Sequence, residues 1–463
     1  MRGWGVLVAA LAAVVAAPSC SSGGAKSGAG DPDAGGSGSG GGGSGGSSGN
    51  GSSGGSSGGG GSGGGSGSSS GGAGDGGGSC IGASLLGALG KSHMIVGLAN
   101  DATAGAMAPF DLQYQYISGG IPDSAGPCAS CTSGCTVSTC TSSPSSSCWW
   151  GCWQDTSQAP GEFPGGFASS CTGASPPQIP MFTYYQLLQS SGVTEGAPEV
   201  TQAAADASFM TRYFADWRFL LQHIGQGVAL LHIEPDFWGY AEQESEDPTS
   251  LKAAVASANA TDCGAMPNTI AGMGQCMIAM VRKYAPHALV GLHASAWGTK
   301  VDVSLNGSAA LDVGSVAQKT AAFLAACGES SADFVVVETS DRDSGYYQVL
   351  ESKNTWWDPT NATLPDFHQD FAYVKALTEA LNEPALYWQT PFGNMSLANT
   401  NGAYQDNRVD YFLTHMSELA GAHAIGAAFG AGAGGCTTPE TDDGNFVVKA
   451  KAYYSGGGQS LCP

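Results

Sequence analysis

The sequence predicts an α/β fold, a (β/α)8 TIM barrel with a disulfide-rich insertion between its second and third strands. Eight short apolar runs recur between residues 93 and 434, and helix-like stretches separate nearly all of them. The fourth run ends in His232-Ile233-Glu234-Pro235-Asp236-Phe237-Trp238-Gly239. Such barrels place their chemistry at the C-terminal ends of their strands, so the acids, amides and tryptophans at those exits nominate a site.

The expected strands are 93–100, 112–118, 179–185, 227–234, 288–294, 334–338, 385–389 and 424–429. Near-continuous apolar runs of this length fit strands buried on both faces. Helical patterns occupy 198–224, 273–284, 316–326, 366–381 and 408–419, and strand–helix alternation implies a parallel sheet. The first crossover, 101–111, is short and holds Gly105 and Pro109, so its helix is expected to be degenerate. Residues 121–176 form the insertion, rich in Cys, Ser, Gly and Pro, with Trp149, Trp150 and Trp153 at its middle. Those tryptophans read either as a plate over the strand mouths or as the insertion's own small core.

The chain before the barrel has a different character. Residues 1–20 combine a basic start, a short apolar run and small residues, which fits an export signal and is too short to span a bilayer. The residues before Cys20 resemble a bacterial lipoprotein signal, which implies lipidation of that cysteine; simple secretion is the alternative. Residues 21–79 are almost entirely Gly and Ser and read as a flexible tether with a reach of about 40 Å. Residues 80–463 are expected to form one domain, and a monomer. The protein is thus expected at a cell surface or secreted, touching membrane only through an anchor at Cys20.

Lys and Arg number 16 against 38 Asp and Glu, a formal net charge of −22 that excludes nucleic acid and tolerates neutral polymers. Thirteen of the 14 cysteines lie in 80–463, seven of them between Cys128 and Cys171, and after an export signal they read as disulfides rather than a zinc cluster. An odd number leaves at least one unpaired, with Cys327 the candidate, and Cys263 and Cys276 flank a loop they can close.

Side chains alternate along a strand, so His232 and Glu234 are expected to face the lumen while Leu231 and Ile233 face the helices. The same rule turns Glu338, after Val335-Val336-Val337, inward. Two glutamates then stand at the ends of strands four and six, roughly 10 Å apart at the backbone. Paired carboxylates are what glycosidic cleavage needs, one to protonate the leaving oxygen and one to attack or to activate water. Arg342 is the only base close to either glutamate in sequence, which argues against buried ion pairs.

On these residues the chain resembles the (β/α)8 glycoside hydrolases. Ile233-Glu234-Pro235 is similar to the Asn-Glu-Pro of one large clan, a resemblance that implies a general acid/base role for Glu234. Ile233 replaces the asparagine, and strand seven ends in Trp388-Gln389-Thr390 where that clan carries its nucleophile, so no second role transfers. Asn382-Glu383-Pro384 copies the motif more closely, yet it precedes strand seven and belongs to the barrel's N-terminal face.

Further candidates line the same rim. His293 and Trp297 stand at strand five, Gln389 and Trp388 at strand seven, Asn100 and Asp101 at the first exit, and Tyr184 and Tyr185 at the third. Asp236 and Asp341 follow the two glutamates and are placed to assist or replace them, and Trp238, Trp297 and Trp388 are the choices for stacking on sugar rings. The Asp341–Gly345 segment lacks the distal glutamate of a calcium loop, and the Gly430–Gly434 run lacks a Walker lysine, so no cofactor or metal is assigned. The expected partner is a carbohydrate polymer or oligosaccharide. Two other readings compete: a non-catalytic carbohydrate-binding barrel, and a hydrolase whose metal is held by His232, His293, Asp236 or Asp341.

Overall fold

The computed structural model describes residues 80–118, 121, 150–152, 159–400 and 402–462. The signal-like start, Cys20, the Gly/Ser tether, Trp149, Trp153 and the cysteines from Cys128 to Cys148 lie outside the described residues.

Eight parallel strands close a barrel in chain order. They are β1 (Ile95–Ala99), β2 (Leu112–Ile117), β3 (Ile179–Tyr184), β4 (Leu230–Ile233), β5 (Leu289–Ala294), β6 (Val335–Glu338), β7 (Ala385–Thr390) and β8 (Ala424–Phe429). The expected α/β barrel is therefore the observed one, each strand lying within three residues of its expected limits. Closure joins β8 to β1, pairing Ile95 with Gly426. Gly426 has φ 156°, and a Cβ there would sit 2.0 Å from the Ile95 carbonyl oxygen, so only glycine lets the last strand approach the first this closely.

Helices form where the sequence caps them. The carboxylate of Asp206 accepts from the amides of Ser208 and Phe209 to start Ala207–Ile224. Thr269, Asp312 and Asp366 do the same for Ile270–Tyr284, Val313–Ala326 and Phe367–Leu381. Two expected helices are broken: 198–224 begins as a separate turn, Glu199–Ala203, before Asp206 restarts it, and 408–419 splits at His415. The first crossover holds only the single turn Ala102–Gly105, as its Gly and Pro suggested. Among the described residues no helix is long and apolar enough to cross a membrane.

Cys263 and Cys276 are bonded, and Cys80 is bonded to Cys462. Cys327 is free and buried, as the odd count implied, and so are Cys171 and Cys436. Trp150 is a core residue, its ring 5.5 Å from Phe219 and its indole N–H 2.9 Å from Asp216, so this member of the insertion's tryptophan group packs inward.

The Cys80–Cys462 bond closes a separation of 382 residues. Replacing both cysteines with serine should cost about 2–5 kcal/mol of stability. A urea-unfolding midpoint equal to that of the parent protein would contradict this.

Candidate active site

Inside the barrel, His232 of β4 follows the expected parity. Its Nδ1 lies 3.3 Å from Thr183 Oγ1 and its Nε2 3.1 Å from His293 Nδ1, and the Trp388 ring packs 4.7 Å from it. Glu234 does not follow. β4 ends at Ile233, and Glu234 and Asp236 adopt φ 46° and 67° on either side of Pro235. Positive φ in a residue other than glycine reverses the chain's course, so strand parity no longer says where a side chain points. The Glu234 carboxylate is wholly buried and accepts from the amides of Gln186 (3.0 Å) and Leu187 (3.1 Å) and from Tyr213 Oη (2.8 Å). It occupies the start of the helix Leu187–Ser191 instead of the lumen, which corrects its expected position.

Asp236 comes into the mouth in its place. Ligand-competent atoms of Asp236, His293 and Glu338 all lie within 4.8 Å of one another, with the two acids half-buried and the imidazole buried. Glu338, the last residue of β6, receives the Gln389 amide N–H at 2.8 Å on Oε1, and Tyr116 Oη in turn donates to Gln389 Oε1. Gln389 itself has φ 57°. Three strained backbones thus meet at the mouths of β4 and β7, where strain persists only if surrounding contacts enforce it.

Other expected residues divide between the mouth and the packing layers. Asn100 donates to Gln115 (2.7 Å) at the first exit, and half-buried Trp297 lies 4.8 Å from the Tyr240 ring on the rim. Asp341 is taken up by Arg342 and Tyr347. Trp388 is buried in the lumen beneath the site, against His232, His293, Tyr114 and Tyr116, and so forms its floor. Tyr184 and Trp238 are not at the mouth. Tyr184 reaches Asp216 (2.8 Å) in the helix layer, and Trp238 is buried with its N–H on the Ile233 carbonyl (2.9 Å). Half-buried Tyr185, the neighbour of Tyr184 at the third exit, does line the mouth, its ring 6.3 Å from that of Tyr116, a residue not singled out from the sequence. The alternation of Gln113-Tyr114-Gln115-Tyr116 in β2 was the available signal for Tyr116.

Burial pushes the Glu338 carboxyl well up, and Asp236 and Asp341 push it further; the Gln389 amide and the Arg342 charge oppose them without reversing the shift. Burial, followed by Glu195 and Asp341, takes Asp236 up to about 7. Burial lowers His293 to about 3 and His232 well below its ordinary value, so both are neutral and neither balances the acids' charge. A proton shared by the pair does so at neutral pH.

No protein-family model and no curated protein sequence matches the chain. Among similar solved structures is the endoglucanase Cel6 from Mycobacterium tuberculosis, with 14% identity over 50% of this chain and 58% of that one, and a TM-score of 0.26. The β-1,4-D-mannanase from Cryptopygus antarcticus shows 10% identity over 80% and 93%, with a TM-score of 0.42. The carboxyl transferase domain of Rhizobium etli pyruvate carboxylase shows 10% identity over 84% and 53%, with a TM-score of 0.36. The chain spans little more than half of the first and last. At these values the likeness says nothing of chemistry, and the site rests on its own geometry.

The buried acids set a pH dependence. Burial takes Glu199, Glu234 and Glu383 up to about 8 from 4.5. It also takes Glu242 to about 7 from 4.5, and Asp343 and Asp370 to about 7 from 3.8. Between those values the unfolded chain has released protons that the folded protein retains, so stability falls as pH rises through them. Thermal midpoints are expected to be highest near pH 5 and to drop steadily towards pH 8; a maximum at pH 8 or above would refute the protonated state of these groups.

Proposed function

We propose that the protein is a glycoside hydrolase acting on a neutral polysaccharide or oligosaccharide, with Glu338 as proton donor and Asp236 as nucleophile. The observation that carries this is the approach of the two carboxylates to within 4.8 Å at the mouth of a closed barrel. Retaining enzymes hold their carboxyl groups closer, about 5–5.5 Å, than inverting ones, about 6.5–9.5 Å, and we adopt the retaining course for a pair whose facing oxygens approach this closely. Protonated Glu338 gives its proton to the glycosidic oxygen as Asp236 attacks the anomeric carbon. The glutamate so formed then takes a proton from the water that releases the glycosyl ester. Gln389, held by Tyr116, aims the Glu338 carboxyl. Glu234 acts as a positioning residue, fixing the turn that presents Asp236.

The same reading includes export by residues 1–20, a Gly/Ser tether, and a lipid anchor at Cys20 that holds the enzyme at a cell surface. The acidic balance of the chain and its disulfides support that setting.

A second reading has one specific observation in its favour. His293 brings a third ligand atom to the acid pair, so a divalent cation held by Asp236, His293 and Glu338 would make the protein a metal-dependent hydrolase.

Reducing-sugar release from a polysaccharide panel, before and after dialysis against EDTA, separates these readings. The glycosidase keeps its activity in chelator, the metal enzyme loses it, and a purely binding barrel releases nothing. Glu338→Gln and Asp236→Asn are each expected to lower kcat by about 10²–10⁴-fold with KM little changed. Glu234→Gln should lower the melting temperature and cost less than about tenfold in kcat, since it acts only through the turn. Full activity in either of the first two variants would remove the proposed pair.

A further inference from the structure

We propose a second carbohydrate-binding site on the mouth face, in the cleft between the loops that follow β6 and β7, taking a neutral pyranose of the polymer away from the cleavage point. It rests on the hydrolase reading for its ligand class. The cleft encloses about 460 Å³ and is lined by residues that include Trp356, Trp357, Asp358, Thr363, Met395 and Asn407. Its two loops continue the strands that carry Glu338 and Gln389, so a chain crossing the site runs towards it.

Three features fit a sugar. Trp356 is half-buried, and its indole N–H donates to Gln348 Oε1 at 3.0 Å, which holds the ring with part of it open to solvent. Met395 is 52% exposed beside it and extends the apolar surface. Asn407 is only 8% exposed; its Nδ2 donates to the Trp357 carbonyl at 2.8 Å, while its Oδ1 has no partner. A buried acceptor left unpaired is costly, and a shift of the Asn407 side chain towards the cleft it lines would pair it with a ligand hydroxyl.

The cleft has no lysine or arginine in its lining, and the Asp358 carboxylate is bonded to Thr360 and Thr363, so the ligand is neutral. The floor is preformed. Buried Arg408 sits 4.6 Å from the Trp357 ring and bonds to Asp406 (2.8 Å), Ser344 (2.9 Å) and the Thr355 carbonyl (3.1 Å), which fastens one loop to the other.

Affinity electrophoresis of the full chain through gels containing barley β-glucan, glucomannan, arabinoxylan or soluble starch tests this. At least one polymer should retard the parent protein. Trp356→Ala and Met395→Arg should each weaken that retention by about tenfold, with Trp356→Phe retaining most of it. Hydrolysis of a short aryl oligosaccharide by these variants should be unchanged. Equal retention of parent and variants, retention by none of the polymers, or a parallel loss of short-substrate turnover would each overturn the proposal. Trp356-dependent retention without any hydrolysis would uphold this site and remove the catalytic reading instead.

Discussion

Two carboxylates, from the mouth of β4 and the end of β6, are held within 4.8 Å of each other over a floor of neutral histidines and a buried tryptophan. Like charges placed this way repel, and a half-buried site screens them poorly. The fold nevertheless enforces the approach. Asp236 is carried in on a backbone at φ 67°, and Gln389 at φ 57° holds Glu338 from the far side. Residues in that region cost on the order of 1–3 kcal/mol each unless surroundings compel them. A proton held between the acids relieves the repulsion, and it is the same proton that an acid catalyst must hold at neutral pH.

Glu234 illustrates how the compulsion is arranged. Its carboxylate accepts from two backbone amides at the start of Leu187–Ser191 and from Tyr213 of the outer helix. The turn after β4 is thereby tied to the turn after β3 and to the helix layer, and Asp236, two residues on, inherits that rigidity. A second tie runs round the other side of the mouth. Asp343, past β6, accepts from the amides of Gly393, past β7, and Thr437, past β8. Arg408, past β7, adds bonds to Ser344 and the Thr355 carbonyl, both past β6. The rim is thus linked by buried polar groups that each find hydrogen-bond partners, and at its centre Glu338 is met by the Gln389 amide and the field of Arg342.

The barrel was legible in the sequence because eight short, largely apolar runs alternating with helical patterns are hard to read otherwise, and capping residues such as Asp206 and Asp366 announce the helices between them. Glu338 was legible for a related reason: the Val335–Val337 run stays extended to its last residue, so parity holds at the glutamate. Parity failed at Glu234 because the strand stops one residue earlier, and no pattern in Ile233-Glu234-Pro235-Asp236 reveals two positive φ angles in succession around a proline. It failed differently in β3. Every residue from Ile179 to Tyr184 is buried, so nothing in the pattern says that Tyr184 faces the helices and Tyr185 the mouth. Trp238 was misplaced because the chain turns into the helix Phe237–Glu244 at once, which folds the indole back onto the Ile233 carbonyl.

A proton and a divalent cation are rival solutions to the same repulsion, and part of the surrounding chemistry suits either. His293 is neutral and therefore able to ligate, and His232 supplies the outer partner that a ligating imidazole ordinarily has. The polarity of the chain on Glu338 is more discriminating. Tyr116 donates to Gln389, and Gln389 donates to Glu338, so the chain delivers a hydrogen-bond donor to one carboxylate oxygen. Such a donor stabilises the glutamate anion, the state reached once a proton has been given away. Burial raises the pKa of this group and the amide lowers it, which is the balance a proton donor needs if it is to hold its proton at rest and release it to a leaving oxygen.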